Sequence, residues 1–160
     1  MGKQYIKKSH KIIEIVSYAI LWASIIIAII GAITLPDKIA THYNGAGEVD
    51  GYGSPATLLF LPIIMLVCNL SCSLILHFLP SNMWNTPSKV KPGRELAVFS
   101  VMSCMMVWME AEISLFTLYS TIISYRELGS LIMPGVVVFM VVIFATIIYG
   151  IVGFYKQNSK

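Results

Sequence analysis

Four apolar runs dominate this chain: Ile12–Leu35, Thr57–Leu79, Leu96–Ser124 and Ile132–Tyr155. Each reaches the roughly 20 residues that an α-helix needs to cross about 30 Å of hydrocarbon. Lipid offers backbone N–H and C=O groups no partners, so each run is expected to be helical. Together they use most of the 160 residues and predict one domain spanning residues 1–160. A composition of 57% hydrophobic and 12% charged residues agrees with a membrane class and excludes an ordinary soluble domain. The first run is longer than a signal-peptide core and no small-residue cleavage pattern follows it, so it reads as a retained span. The expected fold class is an all-α membrane protein, an antiparallel four-helix transmembrane bundle with helices at about 12–35, 57–79, 96–124 and 132–155.

Lys and Arg set the orientation. Lys3, Lys7, Lys8 and Lys11 precede the first run, Lys89, Lys91 and Arg94 fall in the middle connection, and Lys156 and Lys160 close the chain. Only Lys38 and Arg126 fall on the other side, which predicts that both termini are cytoplasmic. The net charge of +3 is thus a topology signal; no soluble basic face exists for a nucleic acid, and the lipid bilayer is the first partner.

Polar residues inside the spans fall in stripes. In the third run Ser100, Ser103, Glu110, Ser114, Thr117, Thr121 and Ser124 recur at steps of three and four, interrupted by Val107. The first run carries Glu14, Ser17, Ser24, Ala28 and Gly31, the second Asn69, Ser73 and His77, and the fourth Gly135, Thr146, Gly150 and Gly153. Small and hydroxyl residues on one face suit close helix packing in membranes. Counted from the run ends, Ser24, Asn69, Glu110 and Thr146 share the midplane, so Glu110 is expected to meet hydrogen-bonding groups from the other helices, and Glu14 is expected to pair with His77. A carboxylate at that depth costs roughly 2.5–3.5 kcal/mol on insertion scales, a cost usually retained for a proton, ion or ligand role. Glu112 lies about 200° further round the helix, so it is expected to face another helix or a second copy in a homodimer. Cys68, Cys72 and Cys104 read as small interior packing residues, with no His or acid at ligand spacing to suggest a metal or redox site.

The polar segment Leu35–Pro55 is expected to be an ordered outer loop packed back over the helix ends. Pro36 ends the first helix, Pro55 opens the second, and Gly45, Gly47, Gly51 and Gly53 divide the segment into turns. Its candidate ligand-binding residues are His42, Tyr43, Asn44, Gly47, Glu48, Asp50, Gly51 and Tyr52. His42, Glu48 and Asp50 lack a recognised metal spacing, and no metal or other cofactor is assigned.

The run LPDKIATHYNGAGEVDGYGS, following a first transmembrane helix, resembles the signature of the Sdp immunity-protein family of bacterial membrane proteins, whose shared N-terminal domain is of unknown function. The resemblance rests on Leu35, Pro36, His42, Asn44, Gly47, Asp50, Gly51, Tyr52 and Ser54. Ala40 and Pro55 depart from it, standing where the family often has Pro and Lys. It implies a multi-pass protein of the bacterial cytoplasmic membrane that protects its producer from a toxic peptide and relays the toxin's presence to a cytoplasmic regulator. The functional expectation is therefore an immunity, resistance or sensing protein that recognises a membrane-active peptide or envelope partner through the outer loop and communicates along the Glu110 stripe. The alternative is a small membrane enzyme or proton-coupled transporter using Glu110 with His42. No nucleophile, base and orienting residue form a set, so no catalytic residue is assigned.

Overall fold

The structure, a computed structural model, describes residues 3–159. All four apolar runs are helical: α1 spans Lys8–Thr34, α2 Phe60–His77, α3 Glu95–Tyr125 and α4 Ile132–Ser159. Short 3₁₀ turns, Pro55–Leu59 and Gly129–Leu131, lead into α2 and α4. All four helical segments are long and apolar enough to cross a membrane. At 1.5 Å per residue α3 is about 46 Å long, so its two ends extend past the hydrocarbon.

Local chemistry fixes the boundaries. Pro36 forces Leu35 into an extended conformation with ψ 158, which stops α1. The Leu35 amide still donates to the Gly31 carbonyl at 3.0 Å. At the start of the second span, Ser54 Oγ accepts the Ala56 amide at 3.3 Å and Pro55 occupies the first turn, where its missing N–H is harmless.

Helix α3 is the hub: α1 packs along one flank, α2 touches both α1 and α3, and α4 lies on α3's other flank. The polar stripes predict these faces. Ser17, Leu21, Ser24, Ala28 and Gly31 of α1, and Ser100, Ser103, Val107, Glu110, Ser114, Thr117 and Thr121 of α3, are all buried. The glycines of α4 bring it close to α3: a Cβ on Gly135 would stand 2.1 Å from the Tyr119 ring, and one on Gly150 2.2 Å from Met105 Sδ. Most of α4 is left facing outward. The cysteines differ from expectation. Cys68 is exposed, and Cys72 and Cys104 are half-buried, because residues of similar size and polarity sit all round a lipid-facing helix and composition does not mark its inner side.

Both termini and the connection between α2 and α3 meet at one end. Lys3 Nζ donates to the carbonyls of Leu76 and Leu79, at 2.7 and 2.5 Å, groups left without helical partners where α2 ends. Tyr5, Trp84 and Phe99 form a triad with ring centroids 5.5–5.7 Å apart. Asn158 accepts the Lys91 amide at 2.8 Å and donates to the Lys89 carbonyl at 2.9 Å, which ties the end of α4 to the same connection.

The opposite end adds one element to an all-α plan. The Leu35–Pro55 segment is ordered as an antiparallel hairpin, β1 (Ile39–Tyr43) with β2 (Val49–Gly53). Ile39 packs with Ala28 and Leu58, so the hairpin folds back over the helix ends as the punctuation of the segment implies.

Candidate functional site

The structure divides the candidate residues between two places. The first is the hairpin, where Asn44 shapes the turn. Its Oδ1 accepts the amides of Ala46 and Glu48, each at 3.0 Å, its Nδ2 donates to Glu48 Oε2 at 2.9 Å, and its carbonyl accepts the Gly47 amide at 2.9 Å. Gly47 has φ 82, the left-handed region that favours glycine. Gly51 faces His42 across the ladder, where a Cβ would come within 2.9 Å of His42 Cβ. The ladder slips on both sides of His42, and this irregularity lets Asp50 Oδ1 pair with His42 Nδ1.

Tyr43 holds the hairpin against the helices. Its ring lies on the Gly129 turn, so close that a Cβ on Gly129 would sit 1.9 Å from Cε1. Burial pushes the Tyr43 phenol above its ordinary value of 10.0, and the charges of Glu127 and Tyr52 push the same way. Asn44, Gly47, Gly51 and Tyr43 therefore build and seat the hairpin, and the side chains of His42, Glu48, Asp50 and Tyr52 are exposed. Beneath the hairpin a cleft of about 810 Å³ opens between β1, the start of α2 and the adjacent end of α3, lined among others by His42, Leu59, Phe60, Ile63, Ser120 and Ser124.

The second place lies inside the helices. Glu110 and Asn69 are both fully buried. Asn69 Nδ2 donates to Ser114 Oγ at 2.9 Å and to the Glu110 carbonyl at 3.3 Å, so the two residues share a level as expected. The Glu110 carboxyl, however, meets neither Asn69, Ser24 nor Thr146. Its Oε1 lies 3.0 Å from Ser73 Oγ, one turn nearer the termini. Side chains on a helix lean toward its N-terminus, and α3 begins at the termini end, so a long Glu reaches below the level of its own Cα. Ser24 donates to the Ile20 carbonyl of its own helix at 3.1 Å. Thr146 donates to Glu112 Oε1, so Glu112 faces α4 as its angular position implies.

Glu14 and His77 pair as expected, with Nε2 2.9 and 2.8 Å from the two carboxyl oxygens. Ser73 joins this pair to Glu110, standing 2.7 Å from Glu14 Oε1, and Tyr18 Oη lies 2.9 Å from Ser73 Oγ. Tyr18 was findable in the sequence: it follows Glu14 by four residues and shares its helix face. The polar chain from Glu110 leads to His77 at the termini end. His42 sits on the hairpin and is paired with Asp50, so the structure does not join Glu110 to His42.

Four membrane-length helices that bury Ser17, Ser24, Asn69 and Glu110 between them are the architecture of a multi-pass membrane protein. Residues 19–66, from the middle of α1 through the hairpin into α2, match a family described as a domain of unknown function, DUF1648. The match covers less than a third of the chain and includes every candidate residue of the hairpin. Comparison with curated proteins and with solved structures gave no match.

Proposed function

We propose that the protein is a component of a bacterial cytoplasmic membrane, with both termini cytoplasmic, that recognises a membrane-active peptide or an envelope partner at its outer hairpin and serves immunity, resistance or sensing. The observation that carries this reading is the seating of the hairpin. Ile39 rests on Ala28 of α1 and Leu58 before α2, and the Tyr43 ring rests on the turn between α3 and α4. A ligand that displaces the hairpin therefore breaks its contacts with α1, with the turn before α2 and with the turn between α3 and α4. The cleft below it mixes apolar Leu59, Phe60 and Ile63 with Ser120 and Ser124, a lining suited to an amphipathic segment lying at the lipid surface. The excess of Lys and Arg at the opposite end supports an outward hairpin and offers a cytoplasmic regulator its docking side. The resemblance to the Sdp immunity proteins agrees with this assignment.

The test exposes cells with and without the gene to a panel of membrane-active peptides. Expression should raise survival against at least one peptide, and Tyr52→Ala, which alters an exposed side chain with 70% accessibility, should reduce that protection without lowering the amount of protein. A gene that changes sensitivity to none of them removes the reading.

A further inference from the structure

Ser73 is the centre of a cluster that recognition at the hairpin does not use. Three oxygens surround its Oγ: Glu14 Oε1 at 2.7 Å, Glu110 Oε1 at 3.0 Å and Tyr18 Oη at 2.9 Å. Each of these three contacts requires one hydrogen. Ser73 and Tyr18 supply one apiece, so the third must sit on a carboxyl group. With Tyr18 donating to Ser73 and His77 donating to Glu14, two arrangements satisfy every contact. In one, Glu110 carries the proton and donates to Ser73, which donates to Glu14. In the other, Glu14 carries it and the two donations reverse. They interconvert when the Glu110 O–H bond breaks as a new one forms on Ser73 Oγ, while the original Ser73 hydrogen passes to Glu14. One proton moves between the carboxyls, and no heavy atom has to travel.

The cluster has an open end and a closed end. His77 and Glu14, with 32% and 12% of their side chains accessible, line a cleft with Lys11, Ile15 and Tyr18 at the termini end. Glu110 lies fully buried at the other end, and its Oε2 has no hydrogen-bond partner among the described residues. Further toward the hairpin the stripe continues as Ser114, Thr117 and Thr121. Their hydroxyls donate to the carbonyls of Glu110, Ile113 and Thr117 at 2.8, 2.7 and 2.8 Å, so their hydrogens are already engaged in the backbone of α3. The titratable and charged groups facing Glu110 are Glu14, Tyr18 and, at the cleft, Lys11 from α1, with Cys72 and His77 from α2. Glu112 faces α4. Among the described residues no three His, Cys, Asp or Glu side chains converge as metal ligands.

We propose that Glu110 is a proton-binding site loaded from the termini end through His77, Glu14 and Ser73 and closed toward the hairpin. The ligand is the proton itself, and the assignment is independent of what the hairpin binds.

Infrared difference spectroscopy tests it on the full chain in lipid nanodiscs. The carbonyl stretch of a protonated carboxylic acid should appear on lowering the pH, and Glu110→Gln should remove a component of it. Ser73→Ala should keep that component but slow its exchange with D2O by about tenfold, equal to ~1.4 kcal/mol on the barrier, and Ser73→Thr should restore the rate. Should Glu110→Gln fail to fold, Glu14→Gln provides the second arm, because it leaves Glu110 in place and should slow the same exchange. The proposal is overturned if the carboxyl signal is unchanged in Glu110→Gln, or if exchange in Ser73→Ala and Glu14→Gln runs at the wild-type rate.

Discussion

Replacing Gly129 by Ala should loosen the hairpin from the helices. The backbone there takes no positive φ, so the effect is one of space alone. The added Cβ would stand 1.9 Å from Tyr43 Cε1 and 2.2 Å from Cδ1, whereas carbon atoms pack at about 3.5–4.0 Å. The ring must retreat by roughly 1.5–2 Å from a strand whose neighbours Ile39 and Ala40 are held down, an overpacking that costs about 1–3 kcal/mol. The population of undocked hairpin should then rise about 5- to 150-fold. Hydrogen exchange measured by mass spectrometry over residues 39–53 reads this directly, including the Asn44 amide that donates to the Glu48 carbonyl at 2.9 Å. Gly45→Ala is the control, since a Cβ there meets nothing within 4 Å. It also carries the same loss of unfolded-state freedom as Gly129→Ala. Equal exchange in the two variants would refute the reasoning.

A cysteine replacing Asn44 should react with an impermeant thiol reagent added outside intact cells and one replacing Ser88 should not; the reverse pattern overturns the orientation. Tyr43→Phe should be close to neutral in stability, because the Tyr43 hydroxyl is buried without a partner among the described residues. The raised phenol gives the same position a pH signature. Folding favours the protonated form, so that contribution to docking is complete below pH 10.0 and is lost as pH rises through the higher folded value; hairpin exchange, corrected for its intrinsic base catalysis, should increase there in wild type and not in Tyr43→Phe. Thr146→Val should cost about 1–3 kcal/mol in a detergent unfolding assay by stranding the Glu112 carboxyl, and Thr146→Ser should recover most of it. Glu110→Leu should lower the extracted yield more than Glu110→Gln, which keeps a group able to bond Ser73.

The spans and their inward faces were legible because lipid admits only long apolar helices and because Glu14, Ser24, Asn69 and Glu110 are too polar to face it. The strands were not. In β1 Ile39 and Ala40 are buried side by side and slips flank His42, so the two-residue alternation that marks a strand is missing. The partners of Glu110 were misplaced for a geometric reason: depth along a run locates a Cα, while the carboxyl ends up nearer Ser73. Asn44, Gly47 and Gly51 stood out as candidate contacts because turn-forming and ligand-binding residues share the same small polar vocabulary.

The central position of α3 also bears on how the chain is made. As the ribosome delivers the helices in order, α1 and α2 enter the bilayer with few mutual contacts and with Asn69, the Ser17–Ser24 face and most of their buried surface still waiting. Only the arrival of α3, after the connection through Trp84 and Lys91, gives those faces something to close on and brings Glu110 against Ser73. Assembly is therefore not pairwise and sequential. A chain arrested before residue 95 should hold two helices joined through Glu14, Tyr18, Ser73 and His77 and a hairpin seated through Ile39 alone, without the Tyr43 contact at Gly129, and be more open to proteases than the finished protein.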